Sequence, residues 1–274
     1  MKIEEYALRI RQRIFQTACW GGSAHIAPAL SIADLIAVLY FDDVLRYNVL
    51  NPKWEGRDIF ILSKGHACLA LYAALSLAGF FPAEELRTFT HKGSRLGGHP
   101  KMYDIPGVEA TTGALGHGML FASGIALANK MDGRDSQVYT IVGDGECEEG
   151  SMWEGFMAAA YHKLDNFVVI IDYNKYQAMD SLENIMGLHD FFSKLRAFGF
   201  FVADIDGHDH VAIKQALTER EQGRPRAVIA NTIKGKGISF MEGMPIWHCR
   251  MPNKQEMKIA LSDLNLTVEE LKTL

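Results

Sequence analysis

Short apolar runs and helical patterns alternate through the second half of the chain. Near the N-terminus, residues 3–19 place apolar side chains at helical spacing, and residues 31–41 open with Ser31, a side chain suited to an N-cap, so both segments are predicted helices. Runs rich in β-branched and apolar residues predict five strands, at 58–62, 137–142, 166–172, 200–206 and 226–233. Helical patterns lie between several of them, at 151–163, 189–197 and 209–222. Strands that alternate with helices pair in parallel, so we expect an α/β fold with a mostly parallel sheet and helices on both faces.

Composition and charge narrow the class of protein. The chain has 274 residues, of which 48% are hydrophobic, and this is enough to bury one full core. We predict a single domain over residues 1–251 and a polar, partly helical tail over residues 252–274. Acidic and basic residues are interspersed and the net charge is −5, so no basic surface for nucleic acid or an anionic membrane is expected.

The first residues of the chain and its cysteines indicate the cellular compartment in which the protein is expected. No apolar run approaches the roughly 20 residues that span a bilayer, and the first ten residues are amphipathic with acidic and basic side chains mixed, unlike a signal peptide. The four cysteines are far apart in sequence and are predicted to be reduced thiols: Cys19, Cys68, Cys147 and Cys249. The sequence therefore predicts a cytoplasmic protein.

Two polar side chains follow two of the predicted strands. Asp144 lies between two glycines after the strand that ends at residue 142, and Asn174 follows the strand that ends at residue 172. In a parallel sheet, ligands bind at the carboxyl ends of the strands, and the helix predicted to begin near Gly150 could direct free amides at an anion. A carboxylate, an amide oxygen and a backbone carbonyl suit a hard cation that bridges a diphosphate. The alternative is that Gly-Asp-Gly is only a turn that ends the strand.

The spacing of these residues resembles the thiamine diphosphate motif. Four segments are similar to transketolase segments and occur in the same order, at 63–75 (SKGHACLALYAAL), 98–118 (GHPKMYDIPGVEATTGALGHG), 143–154 (GDGECEEGSMWE) and 234–248 (KGKGISFMEGMPIWH). They are spread over residues 63–248, and the chain therefore resembles the N-terminal, diphosphate-binding domain of transketolase. The series of histidines in these segments distinguishes it from the decarboxylating thiamine enzymes.

The resemblance implies roles for ten residues, with thiamine diphosphate and Mg²⁺ or Ca²⁺ as cofactors. Histidine suits proton transfer near pH 7 because its unperturbed pKa is about 6.5. The implied catalytic residues, which face the sugar or the transferring protons, are His25, His99 and His248. The implied cofactor-binding residues are His66, Gly113, Leu115, Gly145, Asn174 and His248. The implied metal ligands are Asp144, Asn174 and Tyr176. The remaining histidines are interpreted as structural or surface residues: His91, His117, His162, His189, His208 and His210.

Three departures from the family pattern shape the functional hypothesis. The segment around His25 lacks the flanking glycine and proline that are usual in transketolases. Cys249 stands where glycine often follows the last histidine. These two departures leave the identity of the preferred sugar undetermined. The chain also ends near the family's interdomain linker, and no residue matches the glutamate that activates the pyrimidine ring. We therefore expect the N-terminal subunit of a split transketolase that transfers a two-carbon ketol unit between sugar phosphates, together with a C-terminal partner subunit in a heterotetramer.

Three alternatives are open from the sequence alone. The first is a transketolase for an unusual branched sugar phosphate rather than a sugar of the pentose phosphate pathway. The second is another thiamine enzyme such as a deoxyxylulose phosphate synthase, against which the segments at His66 and His99 argue. The third is a noncatalytic module of the same fold, which predicts the loss of Asp144, Asn174 or the histidines, and all of these are present.

Overall fold

A computed structural model describes residues 1–22 and 24–272 and contains one parallel sheet of five strands. The strands are β1 (Ile59–Leu62), β2 (Val138–Gly143), β3 (Phe167–Tyr173), β4 (Phe201–Asp206) and β5 (Arg226–Asn231). Their order across the sheet is β1-β2-β3-β5-β4, and every neighbouring pair is parallel. The predicted fold class is confirmed. Each predicted strand is present within one or two residues of its expected bounds.

Helices cover both faces of this sheet. They are α1 (Ile3–Gly21), α2 (Ile26–Ser31), α3 (Ala33–Phe41), α4 (Cys68–Ala78), α5 (Gly118–Met131), α6 (Gly150–Tyr161), α7 (Leu182–Ile185), α8 (Phe191–Ala197), α9 (His210–Thr218), α10 (Lys254–Asp263) and α11 (Val268–Lys272). Short 3-10 turns lie at Gly65–Ala67, Ala83–Thr88, Gly145–Glu148 and Pro245–Trp247. No helix in the described ranges is long and apolar enough to cross a membrane.

The alternation of side chains along the strands builds two separate cores. In β3, Val168 and Ile170 join the core that contains α1, α3 and α4, whereas Phe167, Val169 and Ile171 join the core that contains α5 and α6. Successive residues of a strand point to opposite faces, so a run of consecutive apolar residues is what a sheet covered on both sides requires. The polar residues that end these strands are therefore left at one edge of the sheet.

The prediction for residues 31–41 is wrong at its start. The structure breaks the helical segment at Ile32, so that Ser31 is the last residue of α2 and not the N-cap of the next helix. Its hydroxyl instead donates to Asp172 Oδ1 at 2.5 Å. A long-range partner therefore replaces the local capping bond that the sequence suggested.

The C-terminal helices pack against the first helix. Ala260, Leu261 and Leu264 are buried in the same core as α1. Three polar side chains of α1 donate to backbone carbonyls of this region: Gln12 to Leu264, Gln16 to Glu270 and Trp20 to Leu271. The division into residues 1–251 and 252–274 stays a prediction, and residues 273 and 274 lie outside the described part of the chain.

Candidate active site

A cavity of about 480 Å³ lies at the carboxyl ends of β2 and β3. Nine of the ten predicted site residues line it: His25, His66, Gly113, Leu115, Asp144, Gly145, Asn174, Tyr176 and His248. The tenth, His99, lies beside it, with its ring centroid 6.3 Å from that of His25. Residues from segments that are far apart in sequence therefore meet at the sheet edge where ligands bind in parallel α/β folds.

Asp144 and Asn174 are fixed by hydrogen bonds at the ends of β2 and β3. Asp144 Oδ1 accepts from Gly145 N at 2.8 Å, and Oδ2 accepts from Lys175 N at 2.6 Å. Asn174 Oδ1 accepts from Tyr176 N at 3.1 Å. Burial, together with the nearby carboxylate of Asp172, raises the pKa of Asp144 to about 7. The carboxyl group of Asp144 therefore lacks a full counter-charge from the protein.

Asp172 is the buried carboxylate that organises this edge of the sheet. It forms an ion pair with Lys64, and it accepts hydrogen bonds from Ser31, Thr232 and Asn174. Burial alone would raise the pKa of Asp172, but Lys64 and the hydroxyl donors hold it below its usual range. Neither Asp172 nor Lys64 was predicted from the sequence. A charged residue that ends the apolar run at 166–172, and a lysine two residues before His66, were the available signals.

Lys234 supplies a second cation at the cavity. Its ammonium donates to the backbone carbonyl of Gln177 at 2.6 Å and to His248 Nδ1 at 3.2 Å. Burial, followed by the proximity of Lys64, lowers the pKa of Lys234 to about 8. Lys234 lies in one of the segments that resemble transketolase, but the sequence alone predicted no role for it. The ammonium groups of Lys64 and Lys234 therefore line the cavity together with acidic side chains, and they are the cations there that can contact an anion such as a phosphate.

Four histidines form a cluster above these lysines. The ring centroids of His25 and His66 are 5.3 Å apart, those of His25 and His248 are 5.2 Å apart, and those of His66 and His248 are 5.3 Å apart. Burial, with Lys64 next in importance, lowers the pKa of His66 well below its usual range. Burial and then Lys234 lower the pKa of His248 to about 3.

His25 follows the same trend. Its pKa is lowered by burial and, after that, by His99 and Lys64. His25, His66 and His248 are consequently neutral imidazoles at pH 7. Each of them can accept one hydrogen bond and donate another.

Glu146 holds the glycine-rich loop against the end of β1. Its Oε1 accepts from Ser63 Oγ at 2.5 Å and from Gly116 N at 2.9 Å, and its Oε2 accepts from Gly143 N at 3.1 Å. The loop residue Gly113 has φ of 151°, and a Cβ there would lie 3.0 Å from His99 Cδ2. The absence of a side chain at 113 therefore lets the backbone lie against the His99 ring. Glu146 was not singled out from the sequence.

Helix α6 begins at Gly150 as expected from the sequence. A 3-10 turn over Gly145–Glu148 separates it from Asp144, and this turn, with Glu149, lines the cavity. A Cβ at Gly145 would lie 2.9 Å from Gln177 Cγ, so the two loops lie close together here and a side chain at 145 would displace that of Gln177.

A parallel sheet whose carboxyl edge carries a cavity lined by two lysines and three histidines defines an α/β protein suited to bind an anionic cofactor. Comparison with known proteins identifies the family within this class. Residues 10–267 match the family model described as the transketolase thiamine diphosphate binding domain. The chain belongs to the transketolase family, and it represents the N-terminal, thiamine diphosphate-binding part, as the sequence predicted.

The curated relatives include proteins of similar length. The chain is 40% identical over 268 residues to an apulose-4-phosphate transketolase subunit of Actinobacillus succinogenes, in an alignment that covers 96% of each chain. It is 42% identical over 245 residues to a 6-deoxy-6-sulfo-D-fructose transketolase subunit of a Clostridium strain, in an alignment that covers 89% of each chain. Both relatives are named as subunits of transketolases.

The solved structures include longer transketolases. The transketolase of Leishmania mexicana superposes with a TM-score of 0.90 and 30% identity, over 97% of this chain and 42% of that one. A variant of the transketolase of Pichia stipitis, in complex with fructose 6-phosphate, superposes with a TM-score of 0.93 and 29% identity, over all of this chain and 42% of that one. The chain therefore spans about two fifths of the length of these solved enzymes.

Proposed function

We propose that this chain supplies the diphosphate-binding half of an active site that transfers a two-carbon ketol unit between sugar phosphates, in the cytoplasm and together with a C-terminal partner subunit. The observation that carries the proposal is the meeting of Lys64, Lys234, Asp144 and the histidine cluster in one cavity. The cations suit a diphosphate, the carboxylate suits a metal ion, and neutral imidazoles suit proton transfer.

The residues present fit thiamine diphosphate with a divalent metal ion. Asp144 offers a carboxylate, Asn174 an amide oxygen and Tyr176 a backbone carbonyl, and hard oxygen ligands of this kind suit Mg²⁺ or Ca²⁺. Within the described residues no three His, Cys, Asp or Glu side chains form a group that could hold a metal ion. The proposed set contains only one such side chain, so its chemistry is that of a metal bridged to a phosphate. A cation there would also offset the raised pKa of Asp144.

The histidines give the chain its own part in the reaction. Bound thiamine diphosphate would supply the reactive carbon that carries the two-carbon unit. His66 and His248 would donate hydrogen bonds to the diphosphate. His25, His99 and His248 would hold the sugar hydroxyls and move protons at the oxygen atoms that change charge. The lowered pKa of His25 leaves it unprotonated at neutral pH, so its imidazole can accept a proton.

Substitution of Asp144 tests the metal and cofactor site. We expect Asp144→Ala to remove Mg²⁺-dependent binding of thiamine diphosphate and leave the fold intact, because the substitution deletes one hard oxygen ligand. Titration calorimetry with and without Mg²⁺ measures the binding, and circular dichroism checks the fold. Asp135→Ala is the matched control, since the Asp135 side chain is 92% exposed and does not line the cavity. Unchanged cofactor affinity in Asp144→Ala would exclude this residue as a ligand.

Substitution of His99 tests the sugar-facing role. We expect His99→Ala to lower kcat by about 10²-fold, a magnitude typical of the loss of one proton-transfer group, with little change in cofactor affinity. His91→Ala serves as the control because His91 is an exposed histidine away from the cavity. An equal loss of cofactor binding and turnover would assign His99 to the cofactor.

An exposed apolar surface on α5 and α6 supports the assembly with a partner. Phe121, Met157 and Tyr161 are 49%, 55% and 82% exposed. Exposed apolar side chains on two packed helices suit a contact with another chain, and we place the subunit contact of the proposed heterotetramer at α5 and α6. The names of the curated relatives as transketolase subunits support the same assembly.

Mixing the two chains tests the proposed division of labour. We expect the purified chain to transfer no two-carbon unit, even with thiamine diphosphate and Mg²⁺. Activity should rise with added partner and reach a plateau when each chain has bound one partner chain. Material from a host that lacks transketolase removes the background. Turnover without the partner would contradict the proposal. The substrate panel should include branched and sulfonated sugars, because relatives are named for apulose 4-phosphate and 6-deoxy-6-sulfofructose.

A further inference from the structure

A second group of charged side chains lies away from the cavity, on the face of the sheet covered by α1 and α3. Asp34 of α3 forms an ion pair with Arg11 of α1, and it also contacts His208 and His210. The side chains of Asp34 and Arg11 are only 6% and 10% exposed. Burial alone would raise the pKa of Asp34, but hydrogen bonds from the two histidines and from Arg11 hold it well below its usual range. Asp34 is therefore a carboxylate at neutral pH.

The two histidines of this group differ in what else they contact. His208 Nδ1 lies 2.6 Å from Asp34 Oδ2, and His208 Nε2 accepts from the backbone N–H of Ile233 at 2.9 Å. An acceptor nitrogen carries no proton, so His208 is the neutral tautomer that donates from Nδ1 to Asp34. His210 Nε2 also contacts Asp34, at 2.9 Å, but no hydrogen bond in the described ranges joins its side chain to residues 232–237.

Residues 232–237 are held on both sides of Lys234 by the Asp34 group. Ile233 precedes the lysine and donates to His208, while the carbonyl of Lys236 follows it and accepts from Arg11 Nε at 3.1 Å. At Gly237 a Cβ would lie 2.8 Å from Arg11 Cδ, so the side chain of Arg11 packs directly against this backbone. Both supports are hydrogen-bonded to the same buried carboxylate. The position of the segment is therefore coupled to Asp34.

We propose that His208 is a positioning residue that sets the backbone before Lys234 and so places the Lys234 ammonium at the cofactor cavity. The inference rests on the proposed cofactor site. Ile233 directly precedes Lys234 in the chain, so a shift of the Ile233 amide moves the lysine with it. The Lys234 ammonium has its hydrogen-bond partners, the carbonyl of Gln177 and His248 Nδ1, on the cavity side.

Three variants isolate the contribution of His208. His208→Ala removes the acceptor for Ile233 N–H and one partner of Asp34. His208→Gln keeps an amide oxygen near the position of Nε2 and can still accept from Ile233. His210→Ala also removes one partner of Asp34, but leaves the segment untouched, and is the matched control.

Two measurements on the full chain report different consequences. Hydrogen exchange of a peptide that contains residues 231–238 follows the Ile233 amide without any cofactor. Titration with thiamine diphosphate and Mg²⁺ follows the placement of Lys234. For His208→Ala we expect faster exchange in this peptide and a Kd about tenfold higher, the scale of one net hydrogen bond. We expect His208→Gln to stay within about threefold of the wild type, and His210→Ala to match the wild type in both measurements.

The outcomes separate this inference from the proposed function. Equal effects of His208→Ala and His210→Ala on exchange and on Kd would show that both histidines only stabilise Asp34, and would overturn the inference. If the wild-type chain binds no thiamine diphosphate, the proposed function fails, while exchange at residues 231–238 still decides whether His208 holds the segment. If His208→Ala does not fold, the comparison of His208→Gln with His210→Ala decides. A Kd and an exchange rate raised more by His210→Ala than by His208→Gln would overturn the inference, because the loss of an Asp34 partner would then matter more than the bond to Ile233.

Discussion

The histidines at the cavity and the histidines at Asp34 face opposite charges. At the cavity, burial and the neighbouring lysines lower the pKa of His66 and His248, the latter to about 3. At Asp34, the hydrogen bond to the carboxylate raises the pKa of His210. Histidine is thus kept neutral at the cavity, whereas the cationic form is favoured for His210 at the Asp34 site. Burial lowers the pKa at both sites, but the lysines add to this effect at the cavity, whereas the hydrogen bond to the Asp34 carboxylate outweighs it at His210.

The two sites also differ in how their charges are compensated. The Asp34 carboxylate is matched within the protein by Arg11 and by two histidines. At the cavity, Lys64 is paired with Asp172, but the partners of Lys234 in the described part of the chain are carbonyl groups and a neutral imidazole. The Asp34 carboxylate is therefore paired within the protein, whereas the Lys234 ammonium forms no ion pair within the described residues.

Of the substitutions that test this difference between the cavity and the Asp34 site, the largest effect on the free energy of unfolding is expected at Lys64. Lys64→Met should lower the free energy of unfolding by about 3 kcal/mol, because it leaves the buried carboxylate of Asp172 without its cation. Urea unfolding without cofactor measures the loss. In the double variant Lys64→Met with Asp172→Asn, most of the loss should be recovered, since no buried charge is then left unpaired. A loss below about 0.5 kcal/mol in the single variant would contradict the role given to this ion pair.

A smaller effect is expected at Asp34, and it depends on pH. Asp34→Asn should cost about 2 kcal/mol at pH 7, the scale of hydrogen bonds to a charged group. Because the pKa of Asp34 is lowered in the folded state, its contribution is present above the unfolded pKa of about 3.9 and is lost as pH falls below it. The difference in free energy of unfolding between the wild type and Asp34→Asn should therefore shrink as the pH falls from about 5 to about 3, the range in which the carboxyl group of the unfolded chain takes up its proton.

The control for Asp34 is an exposed ion pair of the same type. Asp42 pairs with Lys214 at 2.9 Å, and both side chains are about a third exposed. Asp42→Asn should change the free energy of unfolding by less than about 0.5 kcal/mol at pH 7. A constant difference between wild type and Asp34→Asn down to about pH 3 would show that the carboxylate charge is not what stabilises the fold.

The elements and the motif residues could be predicted from the sequence because their signals are local. Runs such as residues 166–172 are almost continuously apolar, which identifies a strand covered on both faces. Asp144 and Asn174 follow such runs, and the histidine segments resemble a known family in order and context. These features need no knowledge of which distant residues meet.

The supporting residues could not be predicted, because their roles depend on contacts between distant parts of the chain. Ser31 looked like a helix cap, but its hydroxyl bonds Asp172, which is 141 residues away. His208 was interpreted as a structural or surface residue, since nothing in its neighbourhood indicates Asp34, 174 residues earlier. Lys64 and Lys234 stand in segments that resemble transketolase, but their function as a cationic pair is evident only when both reach one cavity.

The smallest expected effect tests the electrostatic contrast directly. Lys234→Met should raise the pKa of His248 from about 3, because Lys234 is the second cause of its depression after burial. The pKa should remain below its ordinary value of 6.5, since burial still disfavours the charged ring. The pKa of His210 should not move, because Asp34 and not Lys234 sets it. Histidine ring resonances followed by NMR across the pH range measure both groups in one sample. A wild-type pKa of His248 near its ordinary value of 6.5 would contradict this prediction. It would show that the lysines do not lower the pKa of the cavity histidines, and that the two sites do not differ in the way their charges act on histidine.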